Sequence, residues 1–163
     1  MIFQAIIFVV ILYLVLRSLI PFIIFPGYLF DSPIKRTENL RKVAKRLMKT
    51  TKEQTLKNIF DYTFNNHGGI AGTIKKFTLL KNLFLNNPEE LINEKVPLYC
   101  HSQNLIIKTL LVNTNQIKER DIKVKWQLGT DLGIHQYLLV EINNKFFKVD
   151  SFYNILQEVK NDK

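Results

Sequence analysis

The sequence predicts an α+β domain in which helices come first and a small antiparallel sheet follows, and three observations carry that expectation. Apolar residues recur at helical spacing in several stretches between positions 40 and 112. From 122 to 128 apolar and polar residues alternate, the period of a strand with one buried face. Asn143-Asn144 then separates two further strand-like runs, and asparagine tolerates the positive φ that a tight hairpin requires.

The N-terminal segment is of a different kind. Residues 2–16 hold one polar side chain, Gln4, and residues 18–30 carry no charge, with Arg17 as the interruption. A helix rises about 1.5 Å per residue and a bilayer span takes roughly 20 apolar residues, so residues 1–30 are expected to form a transmembrane anchor. A cleaved signal peptide competes with that reading, but no basic stretch precedes the apolar run and no small-x-small cleavage site is evident.

Residues 31–50 read as a basic amphipathic juxtamembrane helix. Leu40, Val43, Ala44, Leu47 and Met48 fall on one side, and Arg41, Lys42, Lys45, Arg46 and Lys49 fill the rest. Cations across 35–49 can lie against anionic headgroups or simply face water. The positive-inside bias places residues 31–163 on the cytoplasmic side of a single-pass membrane protein.

Residues 51–163 are expected to make one compact domain. Leu56, Ile59, Phe60 and Phe64 mark a helix opened by Thr50 or Thr51 and ended by the turn Asn65-Asn66-His67-Gly68-Gly69. A further apolar segment covers 74–85, and a polar approach containing Pro97 leads to a helix from Cys100 to about Val112. Strands follow at 122–128, 134–142 and 145–150.

The chain has a net charge of +9 and a single cysteine, Cys100. One cysteine excludes an intramolecular disulfide framework. The thiol is therefore packing or chemistry. At the first turn of a helix, unpaired N–H groups and the positive dipole end favour a thiolate; a lone cysteine on a packed face is otherwise a small buried hydrophobe.

The hairpin brings a second argument. A two-residue turn at 143–144 pairs Ile142 with Lys145, and counting back pairs Tyr137 with Asp150, so His135 and Asp150 become diagonal neighbours on one face. A carboxylate beside an imidazole can fix its tautomer and leave the other nitrogen for a thiol proton. A slip of one residue would separate them. The opposite face, with Leu138, Val140, Ile142, Phe147 and Val149, is the more apolar, which suggests a sheet covered on both sides.

Cysteine at a helix start, histidine in a strand and aspartate at the end of the next strand, together with the helix and turn ending near 65–69, the strand Ile-His-Gln-Tyr-Leu-Leu-Val-Glu-Ile and the run Phe-Phe-Lys-Val-Asp, resemble the transglutaminase-like superfamily, a papain-related class. The resemblance runs from about Lys52 to Asn154. It implies a transglutaminase-like core with a Cys100–His135–Asp150 triad that attacks carboxamides through a thioester, as transferase, deamidase or peptidase, on a protein or peptide substrate. Leu98-Tyr99 before the cysteine, Gln136-Tyr137 after the histidine and the lack of proline after Asp150 depart from the usual pattern and leave the subfamily open.

The alternative is a non-catalytic, membrane-tethered interaction module on the same fold. No cofactor is expected, and Cys100, His67, His101 and His135 lack the spacing of a metal ligand set. His101 is expected to be a solvated first-turn residue and His67 part of the turn. Nucleic acid is not an expected partner, because the cations cluster beside the apolar segment and no reader motif is present.

Overall fold

The computed structural model describes residues 2–24, 33–68, 87–94, 97–128 and 134–160, without the side chains at 2, 17–24, 128 and 134. The apolar segment expected at 74–85 and Gly69 lie outside the described residues. Helix α1 runs Ile2–Ile24. The side chains described in it, residues 3–16, are all exposed. Among the described residues no helix is long and apolar enough to cross a membrane. The expected fold is corrected on this point: the described residues form an α+β fold, and among them the N-terminal helix is not one of a length and apolarity that crosses a membrane.

The remaining helices are α2 (Glu38–Leu47), α3 (Lys52–His67), α4 (Pro88–Asn93) and α5 (Cys100–Asn113). Thr37 and Thr51 open α2 and α3, their hydroxyls accepting from the N–H of Leu40 and Gln54, which satisfies donors that the first turn leaves unpaired. Asn87 caps α4 and Pro88 sits in its first turn, where the missing N–H costs nothing. The sequence reading passed over α4.

Helix α3 runs through Asn65 and Asn66, which the sequence reading gave to a turn. Asn66 Nδ2 donates back to Tyr62 O at 2.7 Å, so the asparagine pair extends the helix to His67. At Gly68, which caps it, a Cβ would stand 2.5 Å from both Phe64 O and the Phe64 ring. A side chain does not fit there.

Four strands, β1 (Ile122–Leu128), β2 (Ile134–Ile142), β3 (Lys145–Asp150) and β4 (Ile155–Val159), form an antiparallel meander in that order. Asn143 and Asn144 take φ of 52° and 62°, and Ile142 pairs with Lys145, the register expected of a two-residue turn. Leu138, Val140, Ile142 and Val149 are buried on one sheet face, while Tyr137, Leu139, Phe146 and Lys148 on the other are half-buried.

Helix α5 is the axis of the domain. All its residues are buried, because α2, α3, α4 and β2 pack around it. The α2 face that meets the core holds Leu40, Val43 and Ala44, so the basic helix belongs to the same core as α5. Asn113 Nδ2 donates to Lys35 O at 2.9 Å and Thr37 Oγ1 to Glu89 Oε1, which fasten the α2 entry to α5 and α4.

Candidate active site

Cys100 is the first residue of α5, and Tyr99 at the cap position supplies no side-chain hydrogen bond. The helix thus begins at the thiol with no side-chain oxygen from its cap position. One turn on, Asn104 Nδ2 donates to Gln136 Oε1 at 3.2 Å. This seats the start of α5 against the start of β2, and the neighbour of Gln136 is His135.

His135 Nε2 lies 2.8 Å from Asp150 Oδ2, with the two side chains 5% and 1% exposed. His135 also hydrogen-bonds Cys100. Because Nε2 is taken by Asp150, Nδ1 is the ring nitrogen left for the sulfur. Asp150 Oδ1 accepts from the Tyr153 N–H at 3.2 Å, so both carboxylate oxygens are fixed. The Tyr153 ring meets the imidazole edge-on at 4.5 Å and Phe152 lies at 5.5 Å. These aromatics restrict the approach of water to the histidine.

Burial alone disfavours a charged imidazole, but the hydrogen bonds to Asp150 and Cys100 and the attraction of their charges outweigh it and raise His135 from 6.5 to about 9. The charged ring is therefore favoured at neutral pH, with one N–H on each nitrogen. Tyr99 is raised, first by burial and then by the neighbouring Cys100 charge.

Gln103, one turn after Cys100, ties the surroundings together. Its Nε2 donates to Leu98 O at 2.7 Å and to His67 O at 3.1 Å, and its Oε1 accepts from Ser151 Oγ at 2.5 Å. Leu98 N–H donates to His67 O as well, at 3.0 Å. The loop into Cys100, the end of α3 and the residue after Asp150 converge on one buried amide.

The structure brings Cys100, His135 and Asp150 together; strand parity places the histidine beside the aspartate, and the cysteine as their partner is what the resemblance implies. Sequence reasoning did not identify Gln103, Ser151, Phe152 or Tyr153. Adjacency to Cys100 and Asp150 was the signal available for them. His101 departs from expectation: it is buried, and desolvation lowers it to about 4. His67 is the fully buried last residue of α3 and not a turn residue. Among the described residues no group of three or more His, Cys, Asp or Glu side chains could hold a metal ion.

No family model matches the chain, and no curated protein and no solved structure is similar to it at a significant level.

Proposed function

We propose that the chain is a thiol enzyme of the transglutaminase-like kind that acts on carboxamides. The supporting observation is the buried line Cys100–His135–Asp150, with the imidazole raised to about 9. In this reading the Cys100 proton resides on His135 and the sulfur attacks the carboxamide carbon. His135 returns the proton to the departing amine or ammonia, and a thioester forms. Water or an amine then attacks the thioester with His135 as base, Cys100 leaves, and the outcome is hydrolysis, deamidation or transfer. Asp150 orients the ring and stabilises its charged form.

One observation favours the alternative, a non-catalytic interaction module: Cys100 is 4% exposed. Alkylation followed by mass spectrometry separates the two, because the chain has one thiol. The enzyme reading expects rapid modification below pH 7 that slows to ordinary thiol behaviour in His135→Ala. A thiol that is inert, or that titrates identically in both proteins, overturns it in favour of the module.

We also propose that the chain lies against an anionic membrane surface. Residues 3–16 expose apolar side chains, and Arg41, Lys42, Lys45 and Arg46 are exposed on α2. Each cation near such a surface adds about 1 kcal/mol. Cosedimentation with phosphatidylserine vesicles should fall when these four are neutralised; unchanged binding removes the contribution of α2.

A further inference from the structure

The sheet face that carries His135 is also the face on which three lysines gather. Strand pairing sets Gln127 directly across from His135, Lys125 across from Tyr137, and Lys123 across from Leu139, which in turn pairs with Lys148. Side chains two apart on a strand share a face at about 7 Å spacing. Lys125 is thus the diagonal neighbour of His135, and Lys123 and Lys148 lie one row farther.

Lys148 is held in place rather than waving in solvent. Its Nζ lies 4.5 Å above the centre of the Tyr137 ring and donates to Gln127 Oε1 at 2.7 Å. The amide that receives it belongs to the residue paired with His135, so the cation is coupled sideways to the candidate site. An ammonium has three N–H donors, and one goes to Gln127. Lys123 and Lys125 are exposed. Among the described residues none of the three lysines makes an ion pair. On the strands of this face the nearest carboxylate apart from Asp150 is Glu141, beyond Leu139. Like charges on adjoining strands repel, and a ligand of opposite charge relieves that repulsion.

We infer that this face, formed by Lys123, Lys125 and Lys148 beside Gln127 and Tyr137, is a docking surface for an acidic peptide segment that flanks the carboxamide delivered to Cys100. The inference rests on the thiol-enzyme reading for its chemistry, but the surface is testable by itself. An extended peptide laid on the sheet would meet a cation about every second residue, and its carboxylates would match the lysine rows. The α2 cations belong to a different element and are not part of this surface.

The test is fluorescence anisotropy of a labelled glutamate-rich peptide carrying one glutamine, titrated with the full chain, beside a lysine-rich counterpart. Saturable binding of the acidic peptide alone is expected, weakening with salt. Lys123→Gln/Lys125→Gln should weaken it at least about tenfold, consistent with two lost contacts to charged groups. That variant leaves the Lys148–Tyr137 packing in place, so a loss of folding does not obscure the result. Neutralising Arg41, Lys42, Lys45 and Arg46 on α2 should leave peptide affinity unchanged. Bound peptide should also slow iodoacetamide modification of Cys100.

Equal binding of both peptides, or unchanged affinity in the double variant, overturns the inference. So does a loss of phosphatidylserine-vesicle binding in that variant without loss of peptide binding, which would make the face a lipid contact. If iodoacetamide never modifies Cys100, the thiol chemistry fails, and the peptide affinities still decide the surface.

Discussion

Ser151 Oγ donates to Gln103 Oε1 at 2.5 Å, which joins the residue following Asp150 to the helical turn that begins with Cys100. Nucleophile and orienting carboxylate are thus linked by a route separate from the imidazole between them. Ser151→Ala leaves a buried amide oxygen without its donor, at a cost of about 1–3 kcal/mol. The expected result is a lower denaturation midpoint together with slower Cys100 alkylation at pH 7. A loss of stability with the alkylation profile untouched would limit Ser151 to a structural role.

Asp150→Asn removes the charge that helps to raise His135 and leaves only a neutral acceptor for its N–H. The imidazole should then titrate below about 9 and nearer 6.5. The ring-proton NMR signals of His135 followed against pH measure this directly. Titration still near 9 in the variant would mean that Cys100 alone sustains the charged ring.

Two histidines give stability opposite pH dependences. His135 is raised in the folded chain, so its contribution is complete below about 6.5 and is lost as pH climbs toward about 9. Burial lowers His101 to about 4, so its contribution is complete above about 6.5 and is lost as pH falls toward 4. Urea midpoints should peak near neutrality. His135→Gln should flatten the alkaline limb and His101→Phe the acid limb; the same curve in all three proteins would contradict both assignments.

Gly68→Ala places a methyl group against a backbone carbonyl that cannot swing aside. The expected cost is about 1–3 kcal/mol, as for overpacking elsewhere. Chemical denaturation measures it, and because His67 O anchors Gln103 and Leu98, slower Cys100 alkylation should accompany the loss.

What the sequence revealed was local and periodic. Strand β1 and the 143–144 hairpin could be read because alternation and turn chemistry are written in neighbouring residues, and parity then fixed the His135–Asp150 relationship. Helix α5 could be located, but not its complete burial: Lys108, Gln103 and Asn113 look like solvent-facing residues until their partners from distant segments are known. Strand β4 was missed because Asn154, at φ 55°, reverses the chain inside what reads as a polar tail. His101 was misjudged because its position in a first turn says nothing about what packs over it.

A helix wrapped on every side has no inexpensive way to open. The hydrogen-bonded amides of α5 cannot exchange with solvent by fraying of an exposed face, so deuterium should enter residues 103–113 mainly when the whole domain comes apart. The segment bearing the thiol is then the slowest clock in the molecule. Its exchange rate reports global unfolding, and a ligand bound beside Cys100 would slow that clock in proportion to its affinity.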